Sequence, residues 1–420
     1  MTLDPYFDPR DPNHVRNPYA TYARLRAEAP VHHSPLGFWI ISRYDDVMEL
    51  LRDPRGSREM HQWSEAYEQS HAAAGPDWEQ FVIDQVQFMD PPNHTRQRKL
   101  VSKAFTPMAI DANRPRVEQI VREVLAAGHG RLEVVEGLAR PLPYRIISEM
   151  LGVPWDDPRL EAEWITMIVR GLSTLVSDDD MRNARDALVG ITDLFHDVIE
   201  DHRRRPRNDL MSALIAAEEE GDRLTTNELF ALSINLLVGG SETTMNLISS
   251  ALYSLARFPD QLERLRQNPG LMRNAVEEFL RFESPAQFQS RTATQPIVVR
   301  GVTIPPRQTI YLCLGSANHD EDRWDRPDEL DIDRSELQHM AVGYGIHHCL
   351  GASLARLETA VAVQALVELP ELELVGPEPE WGGAAALSQR GLKHLHIRWS
   401  GPSEREATGP SGPSEREATQ

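Results

Sequence analysis

Val342-Gly343-Tyr344-Gly345-Ile346-His347-His348-Cys349-Leu350-Gly351 is the stretch on which the reading of this chain turns. Three glycines flank one cysteine just ahead of a helix-periodic run over 351–367. Glycine lets a flat ligand approach closely and adopts the φ > 0 conformations that other residues resist. Peptide N–H groups at the start of the following helix can point at a thiolate, and the positive dipole end stabilises it. A lone cysteine is more often a buried structural residue, but the glycine spacing here favours a sulfur presented to a ligand. Cys313, in the apolar run Ile310 to Leu314 without glycines around it, keeps the structural reading.

Working outward, the next unusual stretch is one long helix. Thr225 and Glu228 form a capping box, and nothing breaks the pattern before Pro259. Some 32 residues at ~1.5 Å each span roughly 48 Å, the width of the whole protein. Leu229 to Val238 is apolar except for Ser233 and Asn235, which predicts burial on most sides. Mid-helix stands Gly239-Gly240-Ser241-Glu242-Thr243-Thr244. Each internal glycine weakens a helix by about 1 kcal/mol relative to Ala. The pair could serve a close helix contact, with a Thr hydroxyl bonding back to its own helix. An acid followed by an alcohol there also suits a proton relay into a dry pocket.

Charged pairs complete the pattern. In Glu278-Phe279-Leu280-Arg281 the two charges share a helix face, a signal that is weak alone. His94 and Arg98, four apart, face one way. Arg96, Lys99 and Lys103 fall within about 60° of one another on another face. Arg291 follows Pro285-Ala286-Gln287-Phe288.

The remaining chain is mostly helical by period. Helices are predicted at 19–29, 44–51, 94–105, 114–127, 143–151, 159–174, 182–203, 209–219, 260–266 and 271–282, with strands at 38–42, within 296–313 and within 384–399. Residues 56–88 lack a clear period, carry Trp63, Tyr67, Trp78, Phe81 and Phe88, and read as a functional loop. GPSEREAT occurs at 401–408 and again at 412–419; such a tract cannot fold by burial and reads as a disordered tail.

Bulk properties exclude several classes. A hydrophobic content of 40% with 26% charged residues fits a globular protein. Net charge of −20 argues against nucleic acid as a partner. No apolar run reaches the ~18 residues of a membrane span, and the start of the chain lacks the features of a signal peptide. Two cysteines make no disulfide framework, so the expected location is the reducing cytoplasm.

The cysteine loop suits an axial thiolate on haem iron, where electron donation from sulfur favours O–O cleavage. It closely resembles the haem-binding loop of the cytochromes P-450, and the motifs from 5 to 400 come in that family's order. Val342 departs from the pattern, which usually has Phe there. The resemblance implies one large, mainly helical domain over 1–400 with a minor β region. One haem b would lie buried between the long helix and the cysteine loop. It implies Cys349 as iron ligand, with Gly239, Gly240, Gly343 and Gly351 against the cofactor and Glu242 with Thr243 delivering protons across an opened helix ladder. It makes Glu278–Arg281 a structural ion pair, and His94, Arg98, Arg291 and His347 the partners of the haem propionates. The Arg96, Lys99 and Lys103 face would dock an acidic electron-donor protein. Family position assigns Phe81, Val82, Gln85, Phe88, Leu236, Gly239, Ala286, Gln287, Phe288 and Leu387 to the lining for a medium-sized hydrophobic substrate. The expected activity is insertion of one atom of O2, typically as hydroxylation, with electrons from NAD(P)H through ferredoxin reductase and ferredoxin. Two rivals are a peroxide-driven peroxygenase of the same family, against which the Glu242-Thr243 pair argues, and a non-catalytic haem sensor.

Overall fold

The long helix is built as its caps dictate. In the computed structural model, which describes residues 4–9, 11–72, 74–102, 105–156, 162–173, 176–217, 224–382 and 388–400, it spans Thr226–Arg257. Glu228 N–H donates to Thr225 Oγ1 at 3.2 Å, and Thr225 N–H donates to Glu228 Oε2 at 2.8 Å. Leu229, Leu232, Ser233, Ile234 and Leu237 are all buried, as the unbroken apolar run requires. The Ser233 hydroxyl is satisfied by Leu229 O at 2.8 Å, so a polar group sits in the core without a desolvation cost. Around this axis pack Pro141–Met150, Asp178–Arg204, Met272–Phe282 and Ala352–Val367. These helices agree with the predicted ones to within a few residues at each end, as fraying ends allow.

Two parts of the β region differ from expectation. A strand at Phe288–Ala293, which the sequence period did not mark, carries Arg291. It lies in a five-stranded sheet ordered Val31–Ser34, Phe38–Ile41, Thr309–Cys313, Phe288–Ala293, Gly56–Ser57, with only Phe38–Ile41 and Thr309–Cys313 parallel. Residues 56–88 are not a loop. They form the strand Gly56–Ser57, the short helices Met60–Trp63, Glu65–Ser70 and Pro76–Ile83, and a 3-10 turn at Val86–Phe88. Helices this short bury only one to three side chains each, Trp78 and Phe81 among them, so no window is long enough to show a period. Cys313 is fully buried in its strand, with burial pushing its thiol up to about 12, in keeping with a structural role. The repeated tail at 401–420 lies outside the described residues. Among the described residues no helix is long and apolar enough to cross a membrane.

Glu278 and Arg281 form a completed charge network. Both side chains are buried, paired at 2.7 and 2.8 Å. Arg281 also donates to the carbonyls of Asn318, Pro327 and Glu329, and Arg334 Nε donates to Glu278 Oε2 at 3.1 Å. The Asp331 N–H supplies a further bond to Glu278 at 2.9 Å.

Candidate active site

The cysteine loop is shaped by its own backbone. Gly343 and Gly345 sit at φ +70° and +74°, which is why glycine stands there. Gly343 N–H donates to Met340 O at 2.8 Å, and Cys349 N–H closes the loop on Val342 O at 2.9 Å. A Cβ on Gly343 would press on Gln289 at 3.0 Å, whereas one on Gly351 would meet nothing within 4 Å. Cys349 is solvent-accessible, yet enough protein surrounds it that burial pushes its thiol up. N–H groups of Gly351 and Ala352 and the charges of Arg98 and Arg356 oppose that rise. Bonding to a metal would remove the thiol proton outright.

Beside this sulfur, the structure brings together the four residues expected to hold carboxylates. The His94 and His347 rings lie 4.3 Å apart. Arg98 Nη2 donates to His348 O at 2.5 Å, tying its helix, Asn93–Ser102, to the cysteine loop. Arg291 is 2% exposed, and its Nη1 donates to Ser290 O at 2.8 Å. Buried and without a hydrogen bond are His94 Nδ1, His347 Nε2 and Arg291 Nη2. Burial holds His347 down at about 2, with the charges of Arg58, Arg291, His94 and Arg98 adding to it, and burial lowers Arg291 to about 9. Buried polar groups are nearly always satisfied, so two guanidiniums and two imidazoles converging with unmet nitrogens mark a ligand's place. A flat metal-bearing ligand with two carboxylates fits these residues.

The central helix contributes the opposite wall. It stays α-helical through Gly239 and Gly240, so the expected opening of its ladder is not seen. Thr243 Oγ1 instead donates to Gly239 O at 3.1 Å, the back-bonded arrangement that lets a helix carry an alcohol inside. A Cβ on Gly239 would meet nothing within 4 Å, while one on Gly240 would touch Ile147 at 3.3 Å. Gly239 therefore faces open space and Gly240 faces a helix neighbour.

Acid and alcohol serve different cavities. Thr243 lines one of about 280 Å³ with Gly239, Val238, Phe88, Ala286 and Phe288. Glu242 lines another of about 230 Å³ with Ser241, Arg140 and Arg145, on a different face of the helix.

Of the expected substrate lining, Phe88, Gly239, Ala286 and Phe288 border the first cavity. Phe81, Val82 and Leu236 belong instead to the surrounding core. Gln85 accepts from Asn235 Nδ2 at 3.1 Å and from Gln87 Nε2 at 2.7 Å, standing behind the wall. Gln287 is committed elsewhere, donating to Ser284 O at 2.6 Å and accepting from Tyr22 at 2.9 Å. Leu387 lies outside the described residues. The sequence reading missed Arg58, Asn235, Gln289 and Tyr311, which do border the cavity. Only Asn235, a polar break in an apolar run, carried a signal that could have found it.

The docking face also needs correction. Arg96 Nη1 donates to Glu228 Oε2 at 3.1 Å, with a second contact from Nη2, so it braces the capping box of the central helix. Lys103 lies outside the described residues. A groove of about 870 Å³ beside the helix Ala352–Val367 carries Arg114, Arg122, Arg273 and Arg356 together with Asp111, Glu118, Glu277 and Glu368, so its charges balance.

Comparison with known proteins agrees with this geometry. Residues 162–381 match the family model described as Cytochrome P450. The chain is 39% identical over 396 residues to the cytochrome P450 monooxygenase PikC of Streptomyces venezuelae, covering 91% of each protein. Among solved structures, CalO2 superposes with a TM-score of 0.87 at 32% identity, covering 94% of this chain and 98% of that one. P450BioI, solved in complex with a hexadec-9Z-enoic acid ligated acyl carrier protein, gives 0.84 at 33%, covering 92% and 100%. The chain belongs to the cytochrome P450 family, monooxygenases whose iron is held by a cysteine thiolate on haem.

Proposed function

We propose that this P450 inserts one oxygen atom of O2 into a small to medium-sized, largely apolar organic substrate, as a hydroxylation. The observation that carries the reading is the set of unsatisfied donors on His94, Arg291 and His347 beside the accessible sulfur of Cys349. Cys349 would hold the iron of haem b, and His94, Arg98, Arg291 and His347 would bind its two carboxylates. When bound, the haem supplies activation of dioxygen.

The chain's own residues do the rest. Gly239 keeps the wall of the cavity clear, and Phe88, Ala286 and Phe288 hold the substrate's apolar body. Thr243 presents its hydroxyl to that cavity, and Glu242 draws protons from the other, so adjacent residues connect solvent to the reaction space through the helix. Electrons are assigned to NAD(P)H through ferredoxin reductase and ferredoxin. The surface for an acidic donor is assigned to Lys99, what remains of the face first considered. We assign the catalytic domain to residues 1–400, and the protein to the cytoplasm.

The test is the carbon monoxide difference spectrum of the dithionite-reduced protein beside Cys349→Ser. A strongly red-shifted Soret band, lost in the variant, is expected. An imidazole-like band in the unaltered protein would overturn the ligand assignment.

A further inference from the structure

Directly after the strand Gly56–Ser57, the chain turns a guanidinium inward. Arg58 is 8% exposed. Its Nε donates to Gln87 O at 2.9 Å, and its Nη1 donates to Ser290 O at 2.8 Å and Ser290 Oγ at 2.7 Å. The group lies 5.2 Å from the centre of the Phe88 ring. Three bonds and a ring thus fix the fork, while Nη2 makes no hydrogen bond among the described residues. The nearby carboxylate of Asp90 acts on the Arg58 guanidinium through its charge without bonding it, since it accepts from the Arg58 backbone N–H at 3.0 Å and from Ser57 Oγ at 2.5 Å. Burial lowers Arg58 to about 10, so it is still charged at neutral pH.

What sets Arg58 apart from Arg98, Arg291, His94 and His347 is where it faces. Among the described residues it is the only charged side chain lining the cavity of about 280 Å³ that Thr243 also borders, and the other four do not line it. A desolvated cation with one open donor edge in an otherwise uncharged pocket is costly unless an anion meets it. We propose that Arg58 anchors a carboxylate on the substrate, so that this cavity selects organic acids with an apolar body over their esters and alcohols. The acid end would lie at Arg58 and the carbon to be oxidised towards Thr243. This deepens the monooxygenase reading and rests on it.

The test uses the haem-loaded full chain and follows the substrate-induced shift of the Soret band. Probes are saturated fatty acids of eight to sixteen carbons, each beside its methyl ester and its alcohol. The best acid is expected to bind about 10-fold or more tighter than its ester. Arg58→Gln should bring acid and ester to within about twofold, and Arg58→Lys should keep part of the preference. Equal affinities in the unaltered protein, no shift with any acid, or a preference that survives Arg58→Gln would overturn the proposal. So would loss of haem from Arg58→Gln, measured by transfer to apomyoglobin, with acid preference intact; Arg58 would then serve the cofactor. A chain without a thiolate-type carbon monoxide spectrum would instead fail the underlying reading, before any probe is added.

Discussion

Two clusters of polar and charged side chains, one around Glu278 and one around His347, differ in one respect. Around Glu278 every strong donor and acceptor is met by the chain itself: Arg281, Arg334, the Asp331 N–H and three carbonyls close the set. Around His347 the chain leaves His94 Nδ1, His347 Nε2 and Arg291 Nη2 unmet. Glu278 and Arg281 are almost wholly buried, as are His94 and Arg291, while His347 and Arg98 are half-buried. A closed network therefore marks what the fold needs for itself, and an open one marks what it keeps for a ligand. Glu278–Arg281 and His94–Arg98 look alike in sequence, as charged residues three or four apart, and only their completion separates them.

The comparison can be broken most directly at its closed end. Glu278→Ala leaves two guanidiniums buried without their anion and should cost about 3–5 kcal/mol. The loss should appear as a large fall in thermal midpoint in the haem-free and haem-loaded forms alike. Were the fall confined to the loaded form, Glu278 would belong to the cofactor rather than to the fold. At the open end the expectation inverts. Arg291→Leu removes an unpaired buried charge, so the haem-free chain should lose no more than about 1 kcal/mol. Haem transfer to apomyoglobin should nonetheless speed up by about tenfold, the loss of one charged hydrogen bond.

Acid sharpens the contrast next. Burial acts to raise the Glu277 carboxyl, but bonds to His339 and Arg356 outweigh it and hold the group at about 2 against an ordinary 4.5. A carboxyl depressed on folding contributes stability that is full above its unfolded value and fades as pH falls through the folded one. Melting of the unaltered chain should therefore decline from about pH 5 towards pH 2, and Glu277→Gln should flatten part of that decline. An unchanged profile in the variant would mean that the pairing of Glu277 with His339 and Arg356 does not set this pH dependence. The smallest effect is expected at Gly239. Ala there meets nothing and should stabilise the helix by about 1 kcal/mol, while lowering substrate affinity by filling ligand space. Unaltered substrate titrations would mean that Gly239 does not face the reaction.

Much of this was legible in the residue order. The capping box at Thr225 and Glu228 set the start of the central helix, and the apolar run after it set its burial. The glycines around Cys349 marked the loop, since Gly343 and Gly345 take the positive φ their identity suggested. What the order concealed depends on side-chain partnership across distance. Arg96 and Lys99 looked equivalent until Glu228, 132 residues away, claimed Arg96. Gln287 looked like lining until Tyr22 did the same. Arg58 follows a two-residue strand and precedes a four-residue helix, elements too short for any period to assign its direction.

The neck of the cysteine loop has one more consequence. Cys349 and Val342 are joined through the backbone, Gly343 is bonded to Met340, and Arg98 clasps His348 from a separate helix. The chain thus casts its socket largely from its own peptide groups. Porphyrins with a different metal but the same pair of acid arms should seat in the same orientation.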